Sequence, residues 1–164
     1  MAGLASRFSK AVLGSTHTIR GFHHTDWAHY QCLMRDGVSL AELPADADLW
    51  SGQSHAERIE VEDTEAWPLG GMWLLENESE ILCICRMMVF PTHGQLRCAT
   101  MGSEQAAPLL IELLVHVLMR CTEQGVDSIL IEEDLGEDQA RSLACRLGWG
   151  YEFQDAQPCL TRPH

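Results

Sequence analysis

The segment "APLLIELLVHVLMRC" constrains this chain more than any other. Leu109, Leu110, Leu113, Leu114, Val117, Leu118 and Cys121 recur at helical spacing and form a stripe too wide for a surface helix. Gly125 supplies the stop. Such a helix has to be covered, and the strands beside it are the natural cover. "QLRCATM" precedes it, with Leu96, Cys98 and Thr100 expected on one face, and "VDSILIEED" follows as a buried strand. Strand, helix, strand in this order predicts two parallel strands, 96–101 and 126–132, joined by a right-handed crossover. His116 lies within this helix and reads as a packed side chain.

The flanking segments extend the sheet. "GGMWLLEN" and "EILCICRMMVF" enclose the polar turn "NESE" and predict a β-hairpin; "PTHG" turns the chain into "QLRCATM", giving three antiparallel strands. Downstream, "EDQARSLACRLG" predicts a helix with Ala140, Leu143, Ala144 and Leu147 inward, and "WGYEFQD" and "QPCLTRP" read as closing strands. Upstream, "STHTIRGF" reads as a strand and "HTDWAHYQCLMRDG" as a helix. Thr25 is its expected N-cap, Asp26 suits the first turn, and Gly37 is its stop. Trp27, Tyr30 and Met34 fall at helical spacing. Residues 38–58 are turn-rich, with at most one helical piece at 39–43, and "ERIEVED" reads as a short exposed strand. The fold class is α/β (α+β): one domain, residues 16–164, with a mixed sheet flanked by helices.

Composition narrows the function classes. The 164 residues suit one domain. No apolar run approaches the roughly 20 residues of a membrane helix, and no signal-peptide stretch opens the chain; a cytoplasmic protein is expected. The seven cysteines are odd in number and sit mostly in apolar runs, as small buried hydrophobes. Cys83 and Cys85 share a strand face, no second pair stands at zinc spacing, and no metal site is expected. The net charge is −13 with a single lysine, which disfavours nucleic acid and suits a basic partner or a cationic amine. Residues 1–25 hold three cations and no acid, against eight cations and 24 acids in the remainder. Within 1–15, Leu4, Phe8, Ala11 and Val12 recur at helical spacing. This basic amphipathic segment could dock on the acidic body, a partner or a membrane surface.

The element order resembles that of the GNAT family of acyl-CoA-dependent N-acetyltransferases over about residues 16–163. "HTIRGFHHTDW" is similar to the family's first strand and helix start, an Ile-Arg pair before a helix-opening Asp. "GGMWLLENESEILCICRMM" is similar to its hairpin, and Ala140, Leu143, Leu147, Gly148 and Trp149 follow its late pattern A-x-x-L-x-x-x-L-G-F. The resemblance implies acetyl-CoA or another acyl-CoA as cofactor. Its pantetheine arm would pair with a splayed strand edge, and its pyrophosphate would meet free N–H groups at the start of the long helix. Thr100, Met101, Gly102, Ser103, Glu104, Gln105, Ala106 and Ala107 align with that loop. Glu104 stands where the family has glycine, Met101 where it has Arg or Gln, and Pro108 removes an N–H; no cation lies in 98–119. Ala144 occupies the position of a frequent general-acid Tyr, and Glu137 that of a frequent Asn.

An amine acceptor needs a proton acceptor. Glu132 and Glu133 are the best-placed candidates and His93, Cys98 and Thr100 weaker ones; the bland alternative for the two carboxylates is a solvated strand end. Three readings follow. The first is a divergent acyl-CoA-dependent N-acyltransferase acting on a small-molecule or protein amine. The second is a catalytically inactive GNAT-fold module that binds or regulates a protein partner. The third is an acyltransferase fed by an acyl-carrier protein, disfavoured by the acidic surface. A homodimer through the closing strand "QPCLTRP" is a further option.

Overall fold

The computed structural model describes residues 16–43, 58–62, 71–78 and 80–163. The amphipathic segment 1–15 and most of the 38–58 loop lie outside these residues. The described elements run β1 (Thr16–Gly21), α1 (Trp27–Asp36), β2 (Val38–Ser39), β3 (Arg58–Val61), β4 (Gly71–Asn77), β5 (Glu80–Val89), β6 (His93–Met101), α2 (Ala107–Glu123), β7 (Ser128–Ile131), α3 (Glu137–Leu147), β8 (Gly150–Gln154) and β9 (Gln157–Thr161). The strands form one sheet in the order β3-β1-β4-β5-β6-β7-β9-β8, with β2 added on β6. β6 and β7 are parallel, as the crossover requires, and β3 lies parallel to β1 at the sheet edge.

The core sits between α2 and the sheet. Leu110, Leu113, Leu114, Val117 and Leu118 are fully buried against Cys83, Cys85 and Met87 of β5. Burying one such Leu is worth about 1.5–3 kcal/mol, so this layer dominates stability. The helix with its entry turn, Glu104–Glu123, does reach the length and hydropathy of a membrane span, contrary to the expectation from run length, but 56% of that stretch is buried inside the domain. It is the core helix of a sheet. β5 reads as one apolar run because both its faces are covered: Ile84 on the other face packs with Leu74 and Leu33 under α1.

Three points extend or correct the sequence reading. Trp27, Tyr30 and Met34 do lie on α1, but its buried contact is Leu33; Trp27 and Met34 are half-exposed, and Trp27 stacks on Tyr30 at 5.2 Å. The start of α1 is secured by Asp26, which accepts the His23 N–H at 2.9 Å, and not by Thr25. The third concerns β6. The register with β5 shifts between Arg86 and Met87, leaving Arg97 as an extra residue. This bulge inverts the alternation beyond it, so Leu96, Ala99 and Met101 share the core face, while Cys98 and Thr100 do not.

Two of the three local patterns have clear physical causes. Arg20 bridges Asp26 at 2.8 and 2.9 Å and Glu76 at 2.8 and 3.1 Å, tying β1, the start of α1 and β4 together. Gly148 ends α3 in the left-handed region at φ 72°, and the following Trp149 N–H closes on the Ala144 carbonyl at 2.8 Å.

Candidate functional site

The bulge at Arg97 sets the geometry of the site. β6 pairs with β7 only from His93↔Ser128 to Leu96↔Ile131. Beyond it the strands part, and the last shared bond runs from the Glu132 N–H to the Leu96 carbonyl at 2.9 Å. A bulge bends the strand that carries it, and here the bend falls where the pairing ends.

The two adjacent carboxylates go to different places. Glu132 forms an ion pair with Arg97 at 2.8 Å. Glu133 turns into the gap, half-buried, and its Oε1 accepts the Ala99 N–H at 3.0 Å. Burial raises the Glu133 carboxyl above its ordinary value; Asp134 and Glu42 push it the same way, and the Ala99 N–H opposes them. Cys98 lies close enough for Glu133 to raise its thiol as well, after burial has done so. Thr100 is buried, and its hydroxyl meets the Met34 sulfur at 3.8 Å. His93 is at the far end of β6, stacked on Phe90 at 4.8 Å. There it lines a cavity of about 470 Å³ with Ser128, Leu130, Glu152, Cys159 and Thr161, which includes neither Glu132 nor Glu133.

The stretch aligned with a phosphate loop divides in two. Thr100 and Met101 are strand residues, paired with Ile84 and Cys83 of β5, and Met101 is fully buried. Only Gly102–Ala106 separates β6 from α2, and Glu104–Ala106 is a single 3-10 turn. Gly102, Ser103, Glu104 and Gln105 are exposed, while Ala106 and Ala107 are buried and the Ala106 carbonyl meets the Cys83 thiol at 3.8 Å. Ala144 is buried in the core and Glu137 is exposed beside Arg141. Among the described residues no group of three His, Cys, Asp or Glu side chains could hold a metal ion.

One part of the site was half legible in the sequence: the helical piece expected at 39–43 is present as a 3-10 turn, Leu40–Glu42, but the short strand before it was not expected. Val38 and Ser39 pair antiparallel with Met101 and Thr100. β5 already holds one edge of those two residues, so β2 lies on the other edge, inside the gap. Gly37 lies so close that a Cβ there would stand 2.6 Å from the Met101 carbonyl oxygen. The chain continues through Leu40 and Leu43, both buried in the main core, and the Leu43 carbonyl accepts a hydrogen bond from Gln139 Nε2. Gln139 is itself buried, with its Oε1 on the Gly136 N–H at 2.8 Å. The G-x-x-Q spacing at the start of α3 is the signal for the Gln139 contact.

No family model matches the sequence, and no curated protein matches it. Solved structures do. A probable acetyltransferase from Staphylococcus epidermidis superposes with TM-score 0.59 at 14% identity, covering 88% of this chain and 96% of that one. The ribosomal-protein-S18-alanine N-acetyltransferase from Escherichia coli gives 0.57 at 14% identity, covering 88% and 90%. The fold is that of the GNAT acetyltransferases. A GNAT family acetyltransferase from Brucella melitensis, solved in complex with acetyl-CoA, gives 0.55 at 14% identity, covering 90% and 89%.

In a GNAT-like fold, the resemblance puts the pantetheine arm of acyl-CoA on the edge of β6 in the gap. Here Val38 and Ser39 pair with part of that edge from within the chain. The added-strand positions beside Thr100 and Met101 are taken, and Glu104 sets a carboxylate at the turn before α2.

Proposed function

We propose that this chain is an acyl-CoA-dependent N-acyltransferase for an amine acceptor. The observation that carries the reading is the gap between β6 and β7, where the Glu133 carboxylate and the Ala99 N–H face one another. On this reading Glu133 takes the proton that the acceptor ammonium must lose, and burial, which raises its proton affinity, favours that role. The Ala99 N–H, once the carboxylate is protonated or shifted, becomes a donor for a developing oxyanion. The net charge of −13 supports a cationic acceptor.

A second reading, an inactive module, is favoured by one specific observation: the strand edge is already filled from within the chain. Thermal melts with millimolar acetyl-CoA and longer acyl-CoA thioesters separate the two. Ligand at 100 times its dissociation constant adds about 2.7 kcal/mol to stability. The acyltransferase reading expects such a rise with at least one thioester; no rise with any of them supports the module.

A further inference from the structure

We propose that Gly37–Leu43 is an internal strap that occupies the acyl-CoA edge of β6 and must leave before that edge can be used. The inference rests on the acyltransferase reading above, and it concerns this chain's own residues.

The strap is held at both ends. Val38 and Ser39 complete the β6 edge at Met101 and Thr100, and the Leu43 carbonyl is held by Gln139 at the start of α3. Between them Leu40 is fully buried and Leu43 nearly so. Both leucines belong to the main core, together with Leu96, Met101 and Leu135. The Ser39 N–H bonds to the Glu42 carboxylate at 2.7 Å, which fixes the turn of the strap upon itself. An edge filled in this way is chemically satisfied. Its N–H and C=O groups meet the same kind of partner that an extended amide-bearing ligand would supply, and the two occupants exclude one another. The paired part is two residues of strand, and the two buried leucines are the larger part of what a ligand has to displace. Apparent affinity is then the intrinsic affinity reduced by the fraction of molecules with the strap released.

Two measurements on the full chain test this. Gly37→Ala places a methyl group against the Met101 and Leu33 carbonyl oxygens, 2.6 and 2.4 Å from its Cβ, and so pushes the strap off β6 without removing a core leucine. Its affinity for CoA, by calorimetric titration, is expected to exceed that of the unaltered chain by about tenfold or more. Hydrogen exchange of the unaltered chain supplies the second readout. Saturating CoA is expected to speed exchange of amides 38–43 by about tenfold or more, while amides 97–103 stay protected. Equal affinities with unchanged exchange at 38–43 overturn the strap and leave the acyltransferase reading standing. No binding by either protein overturns the acyltransferase reading, and the strap's role with it.

Discussion

The Glu133 carboxylate accepts the Ala99 backbone N–H at 3.0 Å across the point where β6 and β7 part. The sheet would otherwise pair that N–H with β7. One side chain therefore substitutes for a missing strand partner and keeps the gap from exposing an unpaired donor.

This contact carries a pH signature. Burial raises the Glu133 carboxyl, with Asp134 and Glu42 adding to it and the Ala99 N–H opposing it. A carboxyl raised in the folded state binds its proton more firmly there than in the unfolded chain. Its contribution is therefore fully present below the ordinary value of 4.5 and is lost as pH rises through the raised value. Glu133→Gln keeps an acceptor for Ala99 and cannot ionise. Urea midpoints from pH 4 to 8 are expected to show the unaltered chain losing stability relative to the variant as pH rises. Parallel curves would contradict the assignment.

Arg20 is the tie between β1, α1 and β4. Its hydrogen bonds hold the Asp26 carboxyl below its ordinary value, despite burial. Arg20→Met leaves Asp26 nearly buried without its cation, at an expected cost of about 3 kcal/mol in denaturant melts. The Asp26 contribution is present above the ordinary value of 3.8 and is lost as pH falls through the lowered one. The deficit of the variant should therefore shrink in acid.

The turn between β8 and β9 carries strain. Asp155 and Ala156 both have positive φ, 51° and 66°. Such two-residue hairpin turns favour glycine at the second position, and alanine there bears a Cβ penalty. Ala156→Gly is expected to stabilise the chain by about 0.5–1 kcal/mol. A lower melting temperature would show that the turn is held in another conformation.

The thiols should divide by burial. Cys32 and Cys145 are exposed, whereas Cys83 and Cys85 are fully buried and Cys121 is nearly so. Burial pushes the Cys121 thiol up to about 11, and those of Cys83 and Cys85 higher. Maleimide labelling of the native chain, mapped by mass spectrometry, should modify Cys32 and Cys145 promptly and the other three only on unfolding.

The helices and long strands were legible because burial left a period in the sequence. The α2 stripe named its own core face, and Gly148 announced the end of α3 through a conformation that glycine favours. The candidate site was less legible, for local reasons. A bulge adds one residue and leaves no compositional mark, so Arg97 inverted the faces of Ala99 and Met101 unannounced. A strand of two residues has no period, and β2 was invisible. Gly37 does end α1, as expected, but its closeness to the Met101 carbonyl is a tertiary fact. Glu132 and Glu133 could not be ranked from sequence, because the choice between Arg97 and the Ala99 N–H depends on where β7 stops.

Glu104 is the last residue on which the cofactor reading turns. It opens the 3-10 turn that leads into α2, where N–H groups lack helical acceptors and the field favours an anion. The exposed carboxylate already supplies that anion and repels a second one. Glu104→Gln removes the charge and keeps the size. A unit charge at a helix start is worth about 0.3–1 kcal/mol, or roughly two- to fivefold in affinity. CoA should therefore bind the variant that much more tightly, most clearly with the strap loosened by Gly37→Ala. The gain should shrink between low and physiological salt, since the site is open to solvent. Dephospho-CoA, which keeps the pyrophosphate, should show the same gain, and pantetheine, which lacks phosphate, none. A gain with pantetheine would mean that Glu104 acts on the arm or on the fold and not on phosphate. Weaker CoA binding by Glu104→Gln would place the phosphates elsewhere.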